Sequence, residues 1–179
     1  IVKDNNDSIT ADMHLTEKEK IRLKEIGEAR FSSKRNVGIS DTRLDGSRCS
    51  KETDIESVSA EYFAAKHFGC KFNDTITPHG DDGSDFIFSL SVETVWMGVD
   101  KTGRPRTTGH LIINPQEPQR FADIYVLVSG SLADGFCIAG WTTHKNLITL
   151  PTKDFGYGLR FAMHIDDLYK SNLNNLKRL

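Results

Sequence analysis

Apolar residues in the first third of the chain recur at helical spacing. Thr16 followed by Glu19 three residues on forms a capping-box pattern, which predicts a helix start at this point. The helix is expected to run to about Phe31, ahead of a long polar stretch with two glycines, SSKRNVGISDTRLDGSRCSK. Loops of that length inside a domain are uncommon and often functional. The apolar positions of this helix are Ile21, Leu23, Ile26 and Ala29.

A second helix is predicted from Thr53 to Gly69. Glu56 stands three residues after Thr53, again as in a capping box, and Gly69 suits the position just past a helix end. Spacings of three and four residues between apolar side chains predict one buried face. That face consists of Ile55, Val58, Tyr62, Ala65 and Phe68.

The second half of the chain alternates short runs rich in Val, Ile and Phe with clusters of Gly, Pro and Asp, a pattern typical of strands. A short helix is predicted over Thr143–Leu147, and a closing helix over Asp166–Leu176. The expected fold class is α/β. The predicted strands are Asp85–Leu90, Val92–Met97, His110–Asn114, Ile124–Ser129, Phe136–Trp141 and Arg160–Ile165.

Composition predicts one globular domain. The chain has 179 residues, of which 37% are hydrophobic and 27% are charged. Its longest apolar runs are shorter than the roughly 18 residues that cross a bilayer, so no membrane association is expected. The N-terminus lacks the apolar core of a signal peptide, and an odd number of scattered cysteines favours a reducing compartment. We therefore expect a cytoplasmic protein with a flexible tail over 1–14 and a single domain over 15–179.

The overall charge does not favour non-specific attraction to nucleic acid, because the formal net charge is −2 and the pI is about 6.3. Contact with nucleic acid would need local basic patches. The alternative interpretation of such patches is ordinary solvated loop charge. Two candidate patches are Lys34, Arg35, Arg43, Arg48 and Lys51 in the first third, and Lys101, Arg104 and Arg106 in the middle.

Three carboxylates are the best candidates for chemistry. Glu61 projects near the edge of the apolar face of the second helix, Asp85 opens the run FIF, and Glu93 interrupts the strand-like run SVETVWMG. A charge at such places needs a partner, an edge or a polar cleft. Carboxylate oxygens are ligands that Mg²⁺ and Mn²⁺ prefer, and such an ion can polarise a phosphoryl oxygen. If the three acids converge, they form a divalent-metal site.

The order of motifs DIESVSAEYFAAKHFG, GDDGSDFIFSLSVETVW, TTGHLIIN, ADIYVLVSG and GFCIAGWTTHKNLI resembles the PD-(D/E)XK nuclease superfamily, especially its small phage and prokaryotic members. The similarity covers roughly Thr53 to Leu168. It implies a restriction-endonuclease-like core, with a central mixed sheet of four to five strands flanked by helices. It also implies Mg²⁺-dependent hydrolysis of DNA phosphodiesters, with Glu61, Asp85 and Glu93 as catalytic metal ligands. DNA is then the expected partner, and a homodimer stays open as the assembly.

Val95 departs from that family pattern. The lysine of the Glu-x-Lys motif belongs two residues after Glu93 on the same strand face, where it would activate the attacking water. Valine cannot activate water, so Lys66, Lys101 and His110 are the candidate substitutes. The alternative to a nuclease is an inactive member of the same fold that binds nucleic acid or a protein partner. Backbone contacts with nucleic acid are expected from Arg35, Arg43, Arg48, Arg104 and Arg106.

Overall fold

The structure is a computed structural model that describes residues 14–38, 50–77, 86–87, 90–115, 121–156 and 158–170, with the backbone alone at Ser50 and at 86–87. The expected tail, 1–14, lies outside the described residues except for His14. Within these described residues, three α-helices and seven strands follow one another in chain order. The helices are α1 Glu17–Asn36, α2 Ser50–Phe68 and α3 His144–Leu147; the strands are β1 Phe86–Ile87, β2 Ser91–Trp96, β3 His110–Ile113, β4 Ile124–Ser131, β5 Gly135–Thr143, β6 Lys153–Asp154 and β7 Leu159–His164.

Helix α1 begins as the capping box predicts. The Thr16 side chain accepts from the Glu19 backbone amide at 3.3 Å, and the Glu19 carboxylate accepts from the Thr16 amide at 2.7 Å. The helix continues past Phe31 to Asn36, which is longer than predicted. Lys34 in this added turn donates to Asp54 of α2 at 2.8 Å, so a tertiary ion pair supports a segment whose sequence looks like a loop.

Helix α2 ends as predicted and begins earlier, at Ser50. Gly69 takes a φ of 67°, and the amide of Cys70 donates to the Ala65 carbonyl at 2.8 Å, a left-handed helix cap. The two helices approach each other closely at Gly27, where an added Cβ would lie 2.6 Å from the Ile55 Cα. Absence of a side chain at Gly27 thus allows the α1–α2 packing.

The main sheet has four strands in the order β1-β2-β4-β5. The β2–β4 pair is parallel, whereas β1 and β5 pair antiparallel with their neighbours, so the sheet is mixed. Every residue of β4 is buried, which identifies this strand as the centre of the domain. The mixed four-stranded sheet agrees with the predicted one.

The two faces of the main sheet are covered differently. Helices α1 and α2 pack on one face and form the helix-side core, which includes Val58, Phe63, Val92 and Val126. A second, antiparallel sheet in the order β3-β7-β6 covers the other face together with α3. The prediction of flanking helices is therefore confirmed in full for one face only; on the other, the short α3 shares the cover with a second sheet, because β3 and β7 pair with each other instead of joining the main sheet. The second core contains Leu111, Tyr125, Leu127, Leu147, Met163, Ile165 and Leu168.

The predicted closing helix, Asp166–Leu176, is wrong over the part that the structure describes. A single 3-10 turn spans Ile165–Asp167, after which the chain is extended. Tyr169 exchanges two backbone hydrogen bonds with Trp141 of β5, at 2.9 and 3.1 Å. The edge of β5 offers these backbone partners, and the pairing competes successfully with the helix that the sequence favours. The remainder, 171–179, lies outside the described residues.

Candidate active site at the start of the parallel strand pair

Glu93 lies on the sheet face that is turned away from α1 and α2. Alternation along β2 puts Val92 in the helix-side core, while Val95 and Met97 pack against the second core. Glu93 shares the face of Val95 and is paired in register with Tyr125 on β4. The residue is half-buried and its Oε2 atom is buried, so its charge lies within the protein, beside the second core.

Tyr125 is the neighbour of Glu93 across the parallel pair. The residue is 2% exposed, and its hydroxyl oxygen lies 3.3 Å from Nδ1 of His144. Burial, with a further contribution from the nearby carboxylates of Glu93 and Asp123, raises the pKa of Tyr125 to about 12. The phenol therefore keeps its proton at neutral pH and can serve as a hydrogen-bond donor.

The local chain holds His144 beside Tyr125. It opens α3, whose N-cap Thr143 accepts from the Asn146 amide at 3.2 Å. The His144 amide donates to the Asp123 carbonyl at 2.9 Å, and the Phe121 ring centroid is 4.4 Å from the imidazole. The half-buried imidazole consequently contacts both the Phe121 ring and the Tyr125 hydroxyl.

Asp123 and Ser91 join the first residues of the two parallel strands. Oδ2 of Asp123 accepts from the amide of Ser91 at 2.9 Å and from its hydroxyl at 2.8 Å. In return, the Asp123 amide donates to the Ser91 hydroxyl at 2.9 Å. These three hydrogen bonds fix the β2–β4 register, which places Glu93 beside Tyr125.

Glu61 is not part of this cluster. It forms an ion pair with Arg30 of α1 at 2.6 Å, and the side chains are only 12% and 15% exposed, respectively. Arg30 also donates to the Asn73 carbonyl at 2.9 Å. Since α1 and α2 cover the face opposite Glu93, the structure does not bring Glu61 and Glu93 together, and the three-acid convergence is corrected to exclude Glu61.

Asp85 lies outside the described residues, so its pairing with Glu93 stays a prediction. In the sequence Asp85 directly precedes Phe86. Strand β1 pairs with β2 through Phe86 opposite Val92 and Ile87 opposite Ser91. The described strands thus bring the residue after Asp85 next to the residue before Glu93.

The lysine substitutes are distributed over three parts of the fold. Val95, at the motif position, packs against the second core. Lys66 is on the helix side, where it pairs with Glu19 at 2.7 Å, so it is separated from Glu93 by the sheet. Lys101 is exposed in the turn after β2, and His110 opens β3. Neither Val95 nor Lys66 can act in place of the motif lysine beside Glu93.

The middle basic patch lies on an ordered turn between β2 and β3. Oδ1 of Asp100 accepts from the amides of Thr102 at 2.7 Å and Arg104 at 3.2 Å. Nε of Arg106 donates to the Val99 carbonyl at 2.8 Å. These bonds shape a turn that presents Lys101, Arg104 and Arg106 to solvent.

The first basic patch is only partly described. Arg35 lies in the last turn of α1 with its guanidinium 5.2 Å from the Phe31 ring centroid. Lys34 and Lys51 are engaged in ion pairs with Asp54 and Glu28, respectively. Arg43 and Arg48 lie outside the described residues, and their expected contacts with nucleic acid stay predictions.

Within the described ranges, no group of three or more His, Cys, Asp or Glu side chains is arranged to hold a metal ion. Those same ranges contain no helix long and apolar enough to cross a membrane. Comparisons with protein-family models, with curated proteins and with solved structures give no match for this chain.

Sequence reasoning missed two members of the cluster. These are His144 and Tyr125, neither of which stands in a sequence pattern that indicates chemistry. The available signal was a shared pattern: SVE and DIY each begin with a short polar residue and continue through Val or Ile. Reading them as a parallel pair in register would have placed Tyr125 beside Glu93.

Proposed function

We propose that the protein is a divalent-metal-dependent nuclease that hydrolyses DNA phosphodiester bonds at the site around Glu93. The supporting observation is the position of Glu93, a half-buried carboxylate within a strand and in register with Tyr125. The residue before it, Val92, is paired with Phe86, which follows Asp85 in the sequence. Charged residues inside strands are uncommon without a functional or pairing role. The motif order that resembles PD-(D/E)XK nucleases gives independent support.

Asp85 and Glu93 are the proposed ligands for Mg²⁺ or Mn²⁺. Of the three predicted acids, Glu61 does not fit because Arg30 already neutralises it on the other side of the sheet. Glu93 fits, since its carboxylate provides the hard oxygen atoms that these ions prefer. The bound ion would supply electrophilic activation of a phosphoryl oxygen and of water.

Tyr125 and His144 are the proposed assisting residues. The Tyr125 hydroxyl can donate a hydrogen bond to the Glu93 carboxylate or to a substrate oxygen. In the tautomer with the proton on Nδ1, His144 donates to the Tyr125 oxygen and leaves the phenol proton free for such a bond. His144 is the nearer of the two to solvent, so it is suited to carry a proton into or out of the site.

The exposed turn bearing Lys101, Arg104 and Arg106 is the proposed contact with the DNA backbone. The chain as a whole is slightly acidic, so phosphate attraction has to come from a local patch of this kind. Arg104 and Arg106 are held in a turn by hydrogen bonds between side chains and backbone, which reduces the entropy lost on binding.

The test is cleavage of duplex DNA, single-stranded DNA and RNA with Mg²⁺, Mn²⁺ or EDTA. We expect metal-dependent cleavage that falls more than ~100-fold in Glu93→Gln and Asp85→Asn, because a ligand matters at least as much as the groups that orient it. Glu28→Gln, at an exposed glutamate of α1, is the matched control and should cleave like the parent. Intact substrates under every metal condition, or full activity in Glu93→Gln, would refute the nuclease.

A second candidate is a nuclease-fold module that binds nucleic acid without cutting it. The packing of Val95 against the second core favours it, because the position that should carry the motif lysine is occupied by a buried-type side chain. In that case DNA binding in a gel-shift experiment persists in Asp85→Asn and Glu93→Gln, and no cleavage accompanies it. Loss of binding on replacing Arg104 and Arg106 by Ala together would be common to both candidates.

A further inference from the structure

Two histidines face each other across the β3–β7 pair on the outer side of the second sheet. His110 and His164 are direct cross-strand partners in the antiparallel register. Their neighbours Leu111 and Met163 point into the second core, so alternation turns both imidazoles away from it. The ring centroids are 5.1 Å apart and the ring planes are nearly perpendicular, at 81°.

This separation matches that of two imidazoles on one tetrahedral ion. A zinc–nitrogen bond is about 2.0–2.1 Å long, and the ring centroid lies roughly 1 Å beyond the nitrogen. At a tetrahedral angle the two centroids would be about 5 Å apart. The observed 5.1 Å matches this separation, and rotation of the two imidazoles about their side-chain bonds would turn one nitrogen of each towards a shared cation.

Asp166 engages the far side of the His164 ring. Its Oδ2 is 3.3 Å from His164 Nδ1, and its backbone amide donates to the same nitrogen at 3.3 Å. Nε2 becomes free to bind a metal when the ring proton moves to Nδ1, where the Asp166 carboxylate then replaces the amide as hydrogen-bond partner, the usual support for a metal-binding histidine. The His164 side chain is 36% exposed, so a cation can reach the site from solution.

Other charges act on the pair from neighbouring segments. Asp167, which follows Asp166 in the 3-10 turn, attracts positive charge at His110, whereas Lys153 of β6 opposes it. At His110 burial and Lys153 outweigh Asp167, so the proposed site depends on the placement of the two imidazoles and not on the surrounding charge.

We propose that His110 and His164 form a two-histidine chelate for a borderline transition-metal cation such as Zn²⁺, linking β3 to β7. Imidazole nitrogen suits Zn²⁺, Cu²⁺ and Ni²⁺, whereas the hard ions expected near Glu93 prefer oxygen, so the two sites differ in metal. With two protein ligands, the remaining coordination positions belong to water or to a small anion. This site is independent of the proposed nuclease activity.

Binding is tested with the full chain and ZnCl₂ alone by isothermal titration calorimetry. We expect one site whose affinity falls at least about tenfold in His110→Gln and in His164→Gln, and less in Asp166→Asn. His14→Gln, at an exposed histidine before α1, is the matched control and should bind like the parent. Equal Zn²⁺ affinity in the parent, His110→Gln and His164→Gln, or no Zn²⁺ binding by the parent, overturns the site.

An NMR experiment on the parent protein removes any dependence on how the variants fold. Substoichiometric Cu²⁺ should broaden the imidazole Cε1–H resonances of His110 and His164 before those of the other histidines. Broadening that begins elsewhere, or that affects all six histidines of the chain equally, contradicts the chelate.

Discussion

The two faces of the main sheet place acidic residues in different environments. On the helix side, carboxylates are matched by cations from the neighbouring helix, as in the Arg30–Glu61 and Lys66–Glu19 pairs at 2.6 and 2.7 Å. On the other side, Glu93 is in register with Tyr125, whose hydroxyl contacts the His144 imidazole. Packing alone thus explains Glu61, whereas the proposed catalytic role belongs to Glu93 on the opposite face.

The largest expected effect comes from removing core volume on each face. Phe63→Ala, at a residue 2% exposed in the helix-side core, should lower the free energy of unfolding by about 3–5 kcal/mol. Leu111→Ala, at a fully buried residue of the second core, should lower it by about 2–5 kcal/mol.

Urea unfolding followed by both tryptophan fluorescence and circular dichroism measures these losses. Because β4 contributes side chains to both cores, the two probes should report one coincident transition in each variant. Two separated transitions would show that the helix-side core and the second core unfold independently. That result would contradict their description as two faces of one cooperative sheet.

Arg30→Met should lower the free energy of unfolding by about 2–3 kcal/mol, because it leaves Glu61 largely buried without its cation. Arg22→Met is the matched control. Its ion pair with Asp74 has the same 2.6 Å separation, but the side chains are 58% and 53% exposed, so its loss should stay below about 0.5 kcal/mol. Thermal and urea unfolding measure both values.

The same Arg30→Met variant sharpens the assignment of roles. Since Glu61 is separated from Glu93 by the sheet, cleavage measured at a temperature where the variant is folded should equal that of the parent. A large loss of cleavage in folded Arg30→Met would return Glu61 to the active site.

The smallest expected effect is a pH dependence on the helix side. Burial alone would raise the pKa of Glu19, but hydrogen bonds from Lys66, Tyr62 and Thr16 outweigh it and lower the pKa to about 2. A depressed folded-state pKa stabilises the fold fully above the unfolded value near 4.5, and the stabilisation is lost as the pH falls from there towards 2.

Glu19→Gln should therefore flatten this part of the stability curve, with a difference from the parent on the order of 1 kcal/mol at pH 7. Glu17→Gln, at a side chain that is 83% exposed, is the control and should follow the parent. Parallel curves for the parent and Glu19→Gln between pH 5 and pH 3 would contradict the role of this cluster.

Local signals in the sequence predicted most helix ends and strands. The capping box at Thr16 and the glycine cap at Gly69 depend on neighbouring residues only, and both are confirmed. Strand alternation similarly located β2 to β5 and β7 to within two residues at each end. The short β6 was missed, since Lys153–Asp154 has no apolar pattern and exists through its pairing with β7.

Tertiary partners decided what the sequence could not predict. The extra turn of α1 depends on Asp54, the lost closing helix depends on the edge of β5, and the role of Glu61 depends on Arg30. Helical periodicity placed Glu61 correctly at the edge of its apolar face. The same periodicity contains no information on which basic residue of α1 meets it there.

The β4–β5 hairpin has a consequence for the order in which the domain folds. Its strands are joined by Leu132–Asp134 alone, and Ser131 exchanges hydrogen bonds with Asp134 at 2.8 and 3.0 Å across the turn. Closing so short a loop loses little chain entropy, whereas the parallel β2–β4 pairing must first enclose everything from Met97 to Asp123. We therefore expect the hairpin to form early in folding and the β2–β4 pairing beside Glu93 to form late.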